Sequence, residues 1–350
     1  MSDTQTPTED GHVSVYIVGS PIHYLAARRI SEIFEPKGRK VLLYHHEAIE
    51  AFLDKTEWDA VDFLPWPRKR PLPGPFGLHR RLLENLRKLA GMVGNCRSIH
   101  LHAGGYGAEA TNYFVLSLGP LVGARTVRAR ILPEGVDSTR RYPLSWQRRW
   151  LHKLRLLRRI ASPALRYRTF SGDHTGADAA FVDRIYTLPG LAHQYQAGKV
   201  VELPSLVSAA AANPQESAEL RALVIGQPLT GSNKLSPEDL AVITDRVHRW
   251  LQDQGVTAID YKGHPRDPGN ELMQEGDQLL TLSEPVENYM ARTHYDFIVG
   301  VASTALLFAR QIYPPEVRVV AFGWDRVRFK SPAERSDLEQ VFTGVGVQLV

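Results

Sequence analysis

Three short turns hold the residues with chemistry to offer, and each stands where an apolar run ends. "YKGHPRD", residues 261–267, follows "VTAID" and gathers Lys262, His264 and Arg266 around a Gly-X-Pro turn. The residue before a proline is kept extended, so His264 is held away from any following helix. An imidazole so placed can hydrogen-bond a phosphate and carry a proton to a leaving group; the plain alternative is a surface histidine. "GVAST", residues 300–304, puts Ser303 and Thr304 at the start of "ALLFARQIY". An ordinary N-cap accounts for a hydroxyl there, while a helix N-terminus with two hydroxyls and small neighbours also suits a phosphate. "PEG", residues 133–135, sets Glu134 after "RARIL" in a turn that glycine makes tight. Its carboxylate is either solvated or a base for a hydroxyl proton. In "SEPVENY", Glu287 begins a helix. There it complements the helix dipole or accepts hydrogen bonds from paired hydroxyls such as those of a ribose.

These turns need strands behind them. "HVSVYIVGSPIHYLAARRISEIF" reads as a strand, a Gly-Ser-Pro turn and a helix; "KVLLYHH" is a second strand, and "HRRLLENLRKLAGMV" a helix. "SIHLHAGG" is a strand ending in a glycine pair, "TVRARILPEG" a strand with an acidic exit, and "DRIYTL" and "KVVELP" follow. "LPWPRKRPLPGPFG" is a Pro-rich basic loop with no core pattern. Residues 208–218, "SAAAANPQESA", have the composition of a linker. The alternation then restarts with "LRALVIGQPLTG", the helix "SPEDLAVITDRVHRWLQDQG" behind a Ser-Pro cap, "VTAIDYKGHP", "VENYMART", "YDFIVGVAST" and "ALLFARQIY", with "VRVVAFGW" as the final strand. Strands alternating with helices specify parallel α/β layers. The expected fold class is α/β with two Rossmann-like domains facing a cleft. The expected boundaries are a disordered N-terminus over 1–12, a first domain over 13–205 and a second over 215–350. In such sheets ligands collect at the carboxyl ends of strands.

Charge separates the halves. Residues 1–200 hold 29 Lys/Arg against 18 Asp/Glu, and residues 201–350 hold 13 against 20, so the net +4 conceals partners of different kinds. Residues 138–172 carry ten Lys/Arg and no acid. Within them "WQRRWLHKLRLLRRI" sets Trp146, Trp150, Leu154 and Leu157 at helical spacing among arginines. Such a helix either packs its apolar side into a core or lies on an anionic membrane or polyanion. No nucleic-acid-binding signature accompanies it. One cysteine, Cys96, leaves no disulfide within the chain and makes a zinc cluster improbable. The start, "MSDTQTPTEDGH", is polar and acidic, unlike a secretory signal. "YFVLSLGPLVGA" is too short and too broken to span a bilayer. The expectation is a cytoplasmic chain, with residues 146–160 as the candidate for peripheral contact at the inner membrane.

An acidic-Gly turn, then HP, then Ser-Ser or Ser-Thr, in that order, resembles the motif set of bacterial sialyltransferases, (D/E)(D/E)G, HP and S(S/T). The chain looks like the branch that contains capsule polysialyltransferases and lipooligosaccharide sialyltransferases. "IVGSPIHYLAA" resembles that branch's opening strand, turn and helix, and "IGQPL" and "EPVEN" its second-domain elements. The resemblance runs from about Val13 to Phe322. It implies the GT-B architecture and an inverting transfer of a CMP-activated nonulosonic acid, sialic acid above all, to a glycan acceptor. In that scheme Glu134 is the base and His264 assists the departing CMP phosphate. Ser303, Thr304 and Lys262 bind that phosphate and Glu287 holds the ribose. No D-x-D motif occurs, so neither a metal nor another cofactor is expected. The acceptor expected is anionic or membrane-anchored. The chain departs from the pattern at Pro133, where the family has a first acid; Asp137 is the reserve base. Kdo or pseudaminic acid transferases would use the same machinery. A hydrolysing sugar-nucleotide epimerase would share the fold but favour UDP. A catalytically silent glycan- or membrane-binding relative would explain Pro133.

Overall fold

The computed structural model describes residues 11–134, 141–191, 193–206, 219–264, 267 and 269–350. The acidic N-terminus over 1–10, Asp137, the 208–218 linker and Pro265 of the HP turn therefore lie outside the described residues. Two compact units divide the chain: Met1–Pro189 with His193–Leu206, and Val207–Val350 with Gly190–Ala192.

The first unit is built on a seven-stranded sheet. Its strands are β1 (His12–Val18), β2 (Arg39–Tyr44), β3 (Ala60–Phe63), β4 (Ser98–Ala103), β5 (Thr126–Ile131), β6 (Val182–Thr187) and β7 (Val200–Glu202), in the order β3-β2-β1-β4-β5-β6-β7. Every pairing is parallel. The helices are α1 (Pro21–Ile33), α2 (Gly77–Val93), α3 (Glu109–Val122), α4 (Trp146–Leu156) and α5 (Arg158–Ala161). The strand order reverses between β1 and β4, the place where a doubly wound sheet opens a crevice.

β1 shows why the sheet is buried on both faces, as parallel sheets require. Val13, Val15 and Ile17 join a core with Leu82, Leu86 and Leu89 of α2 and Phe114 and Leu118 of α3. On the other face Tyr16 is fully buried, stacked on His102 with centroids 4.4 Å apart and set edge-on against Trp58. That face also holds a buried ion network. The Glu35 carboxylate accepts from Ser14 Oγ at 3.1 Å, lies 3.0 Å from His100 Nδ1 and 3.2 Å from His12 Nε2, and pairs closely with Arg130. Arg130 Nε also donates to Asp183 at 3.2 Å. The ligand atoms of His12, Glu35 and His100 lie within 4.8 Å of one another. The guanidinium of Arg130 already supplies the positive charge that such a cluster needs.

The second unit repeats the plan with six parallel strands: β8 (Arg221–Ile225), β9 (Ala258–Lys262), β10 (Gln278–Leu279), β11 (Phe297–Gly300), β12 (Arg318–Ala321) and β13 (Gln348–Leu349), ordered β10-β9-β8-β11-β12-β13. Its helices are α6 (Pro237–Asp253), α7 (Val286–Met290), α8 (Thr304–Ile312) and α9 (Pro332–Gly344). The Ser-Pro start of α6 behaves as its sequence demands: Ser236 Oγ accepts from Asp239 N–H at 3.1 Å, and Pro237 takes the first turn, where no donor is needed.

The strand ending at Ala321 is not the last. α9, capped by Ser331 in the same Ser-Pro manner, and then β13 extend the sheet past β12. The basic helix also resolves. Trp146, Trp150 and Leu154 of α4 are 69%, 59% and 56% exposed, and only His152 of that helix is buried. Its apolar row does not enter the core. Among the described residues no helix is long and apolar enough to cross a membrane.

Arg130→Met removes the guanidinium that pairs with the buried Glu35 carboxylate, and breaking such a pair costs about 3–5 kcal/mol. The first-unit unfolding midpoint in urea should fall accordingly, and adding Glu35→Gln should recover part of the loss. An Arg130→Met protein as stable as the parent would contradict the reading of this network.

Candidate functional site: two sets of strand-exit turns

In the first unit a cavity of about 500 Å³ opens at the carboxyl edge, at the β1/β4 reversal. His23, His45, Gly104, Glu134, Arg148 and Arg155 are among its lining residues. Local sequence places each. Ser20 caps α1, its hydroxyl accepting from His23 N–H at 3.3 Å, which fixes His23 in the first turn after β1. Leu132 N–H donates to Ala103 O at 2.9 Å, so the β5 exit follows the end of β4 and delivers Glu134 to the same edge. The glycine pair after β4 lets these groups meet. A Cβ on Gly104 would run into both Glu134 Oε1 and the His23 ring. As a result Glu134 Oε1 lies 3.5 Å from His23 Nε2.

The cavity has a basic side. Arg155 NH1 donates to Gly107 O at 3.0 Å and to Tyr167 Oη at 2.7 Å, while Arg158 Nε donates to the buried Glu109 at 2.8 Å. Arg148 is exposed at the rim. His174 sits beside Asp173, 3.7 Å from Nδ1 to the carboxylate, which favours its protonated form and raises its pKa. His23 differs. Burial, reinforced by His45, pushes its pKa down to about 3, so its ring is neutral.

In the second unit β8 lies between β9 and β11, and two hydrogen bonds draw the exits of those neighbours toward its end. Gly226 N–H donates to Lys262 O at 2.9 Å, and Ala302 N–H donates to Gln227 Oε1 at 2.8 Å. The turns bearing Lys262 and His264 on one side, and Ser303 and Thr304 on the other, thus share one sheet edge. Ser303 caps α8, accepting from Ala305 N–H at 3.3 Å, so the N-cap role is real; Ser303 and Thr304 both remain half-exposed. Glu287 is buried in α7, and burial raises its pKa, offset by Lys262. Burial conversely lowers the pKa of Lys262, offset by Glu287. That mutual offset couples the two charges.

Sequence reading passed over His23, His45 and Gln227. A histidine three residues after the N-cap of the first helix of such a sheet was the available signal for His23. Its meaning depends on Gly104 and Glu134 arriving from β4 and β5.

Residues 186–320 match the model of the alpha-2,8-polysialyltransferase (POLYST) family. No curated protein matches the chain. The alpha/beta-galactoside alpha-2,3-sialyltransferase of Photobacterium phosphoreum aligns with a TM-score of 0.55 at 12% identity, over 97% of this chain and 98% of its own. The UDP-GlcNAc 2-epimerase of Neisseria meningitidis, solved with UDP-GlcNAc, aligns with a TM-score of 0.53 at 11% identity, over 95% and 90%. Likenesses at these identities establish the fold, a pair of Rossmann-like domains of the GT-B type. The family match adds a likeness in sequence: residues 186–320, 135 of the chain's 350, are similar to that family.

Three of the buried imidazoles give a pH test. Burial lowers the pKa of His23 and of His102 to about 3 and that of His152 to about 4, aided by His45, by His100, and by Arg155 with Arg148 respectively. The unfolded chain, with histidines near their ordinary value of about 6.5, binds more protons below that pH. Stability is therefore fully present above pH ~6.5 and is lost as pH falls toward ~4, by roughly 1.4 kcal/mol per pH unit for each histidine still neutral in the fold. Melting temperatures should drop as pH falls below about 6.5. A melting temperature unchanged down to pH ~5 would contradict this.

Proposed function

We propose that the protein is an inverting transferase that moves a nonulosonic acid, sialic acid first among them, from a CMP-sugar to a glycan acceptor in capsule or lipopolysaccharide synthesis. The observation carrying this reading is that the family match over residues 186–320 spans Lys262, His264, Glu287, Ser303 and Thr304 together. In this reading the second unit holds the donor. Lys262, Ser303 and Thr304 bind its single phosphate, and Glu287 accepts from the ribose hydroxyls. Glu134 of the first unit takes the proton of the acceptor hydroxyl as its oxygen bonds to the anomeric carbon. The bond from that carbon to the CMP phosphate oxygen breaks on the opposite face, and His264 protonates or hydrogen-bonds the departing phosphate. One phosphate needs less neutralising charge than two, so the scheme includes no metal. Kdo or pseudaminic acid would pass through the same steps.

CMP should raise the melting temperature while UDP and GDP do not. Glu134→Gln should cut turnover about 10²-fold or more and leave CMP affinity nearly unchanged, because a base acts in the transition state. Stabilisation by UDP alone would favour the epimerase reading. Loss of turnover in Asp137→Asn but not in Glu134→Gln would move the base.

We further propose that α4 and α5 meet an anionic membrane surface. Exposed Trp146, Trp150, Leu154 and Ile160 favour a bilayer over a free polyanion, which offers nothing to apolar side chains. Arg155 and Arg158 are engaged by Glu109, so the charges to reverse are Arg149, Lys153 and Arg159. That triple variant should lose flotation with phosphatidylglycerol vesicles. Parent binding should fade as salt shortens the Debye length from ~10 Å at 0.1 M to ~3 Å at 1 M. Equal flotation of parent and variant at both salt concentrations would leave these residues as solvated surface.

A further inference from the structure

Among the residues lining the cavity of the first unit, His23 is buried and goes unused in the scheme above. His23 is 6% exposed, and its Nε2 has no hydrogen-bond partner. A buried polar atom left in that state costs about 1–3 kcal/mol, so its surroundings matter. Gly19 N–H donates to His23 Nδ1 at 3.2 Å. A ring nitrogen that accepts cannot carry the proton of a neutral imidazole. The proton of His23 is therefore on Nε2, and Glu134 Oε1 lies 3.5 Å from it.

We infer that His23 is a positioning residue, whose buried Nε2–H holds one oxygen of the Glu134 carboxylate and so presents the other to the acceptor hydroxyl. This rests on the reading of Glu134 as the base. Three features of the fold support it. His23 is fixed in the first turn of a capped helix, so the donor does not wander. Gly104 leaves the space in which ring and carboxylate approach. The low pKa of His23, set by burial and then by His45, keeps the ring neutral at working pH. A neutral donor orients the carboxylate without placing a full charge on it, as a lysine or a protonated histidine would. Hydrogen bonds to a carboxylate are among the stronger ones. Shortening the present 3.5 Å separation by a few tenths of an ångström would bring this pair into bonding range.

The tautomer can be read without any turnover, from ¹⁵N shifts of the two His23 ring nitrogens in the full chain. The expected result is a protonated Nε2 and a bare Nδ1, with the Nε2–H resonance moving in Glu134→Gln. A proton on Nδ1, or a resonance indifferent to Glu134→Gln, would overturn the inference even if Glu134 is the base. In turnover, His23→Leu should lower kcat at least tenfold with KM for both substrates little changed. His23→Gln, which restores an N–H near the Nε2 position, should recover most of that loss. Both variants should keep the parent's CMP-induced thermal shift, which guards against misfolding. If His23→Gln is as poor as His23→Leu while both are folded, donation from Nε2 is not what His23 contributes. If Glu134→Gln leaves turnover intact, the assignment of the base fails instead, and the NMR result stands apart from it.

Discussion

Every strand pairing in both sheets is parallel, and this single constraint decides where chemistry can happen. Parallel strands must be buried on both faces, which leaves the sheet edges as the places where polar groups can gather without cost to the core. It also sends every strand exit to the same edge. Residues 30, 75 or 111 positions apart in sequence then become neighbours without any special device. What remains is fine adjustment, and the chain makes it with backbone. Gly104 admits the Glu134 carboxylate to the His23 ring. Gly226 and Gln227 tie the exits of β9 and β11 to that of β8.

The two units use charge differently at these edges. In the first, cations line a cavity and are partly spent on structure, with Arg155 and Arg158 turned toward the buried Glu109. In the second, Lys262 and Glu287 are each desolvated and each offset the other. The buried neutral histidines belong to the same economy. His102 stacks on Tyr16 inside the sheet and His23 waits at its rim, both kept uncharged by burial.

Much of the framework was legible in the sequence because its signals are local. The alternating runs of β1, β4 and β8 and the Ser-Pro caps of α6 and α9 state their own conformation, although the second of those caps went unread. The strands that escaped notice were β3, β10 and β13, which are four, two and two residues long and sit at or beside sheet edges. So few residues cannot display a period. Of the site, Glu134, His264, Ser303, Thr304, Lys262 and Glu287 were named from their turns, since a polar residue after an apolar run is visible in one dimension. His23 was not, because its significance comes from tertiary approach. The basic helix shows the opposite failure. Its helical spacing was plain, but the pattern could not tell whether the apolar row faces inward, and in the fold it faces out.

The central claim is transfer of a sialyl group with inversion, and product stereochemistry tests it most directly. The protein would be incubated with CMP-sialic acid and an oligosaccharide acceptor and followed by proton NMR from the first turnover. The account predicts CMP release that depends on the acceptor, matched by a new glycoside whose anomeric configuration is opposite to the donor's. A product that retains the donor's configuration, or no acceptor-dependent CMP release alongside epimerisation of UDP-GlcNAc, would contradict it.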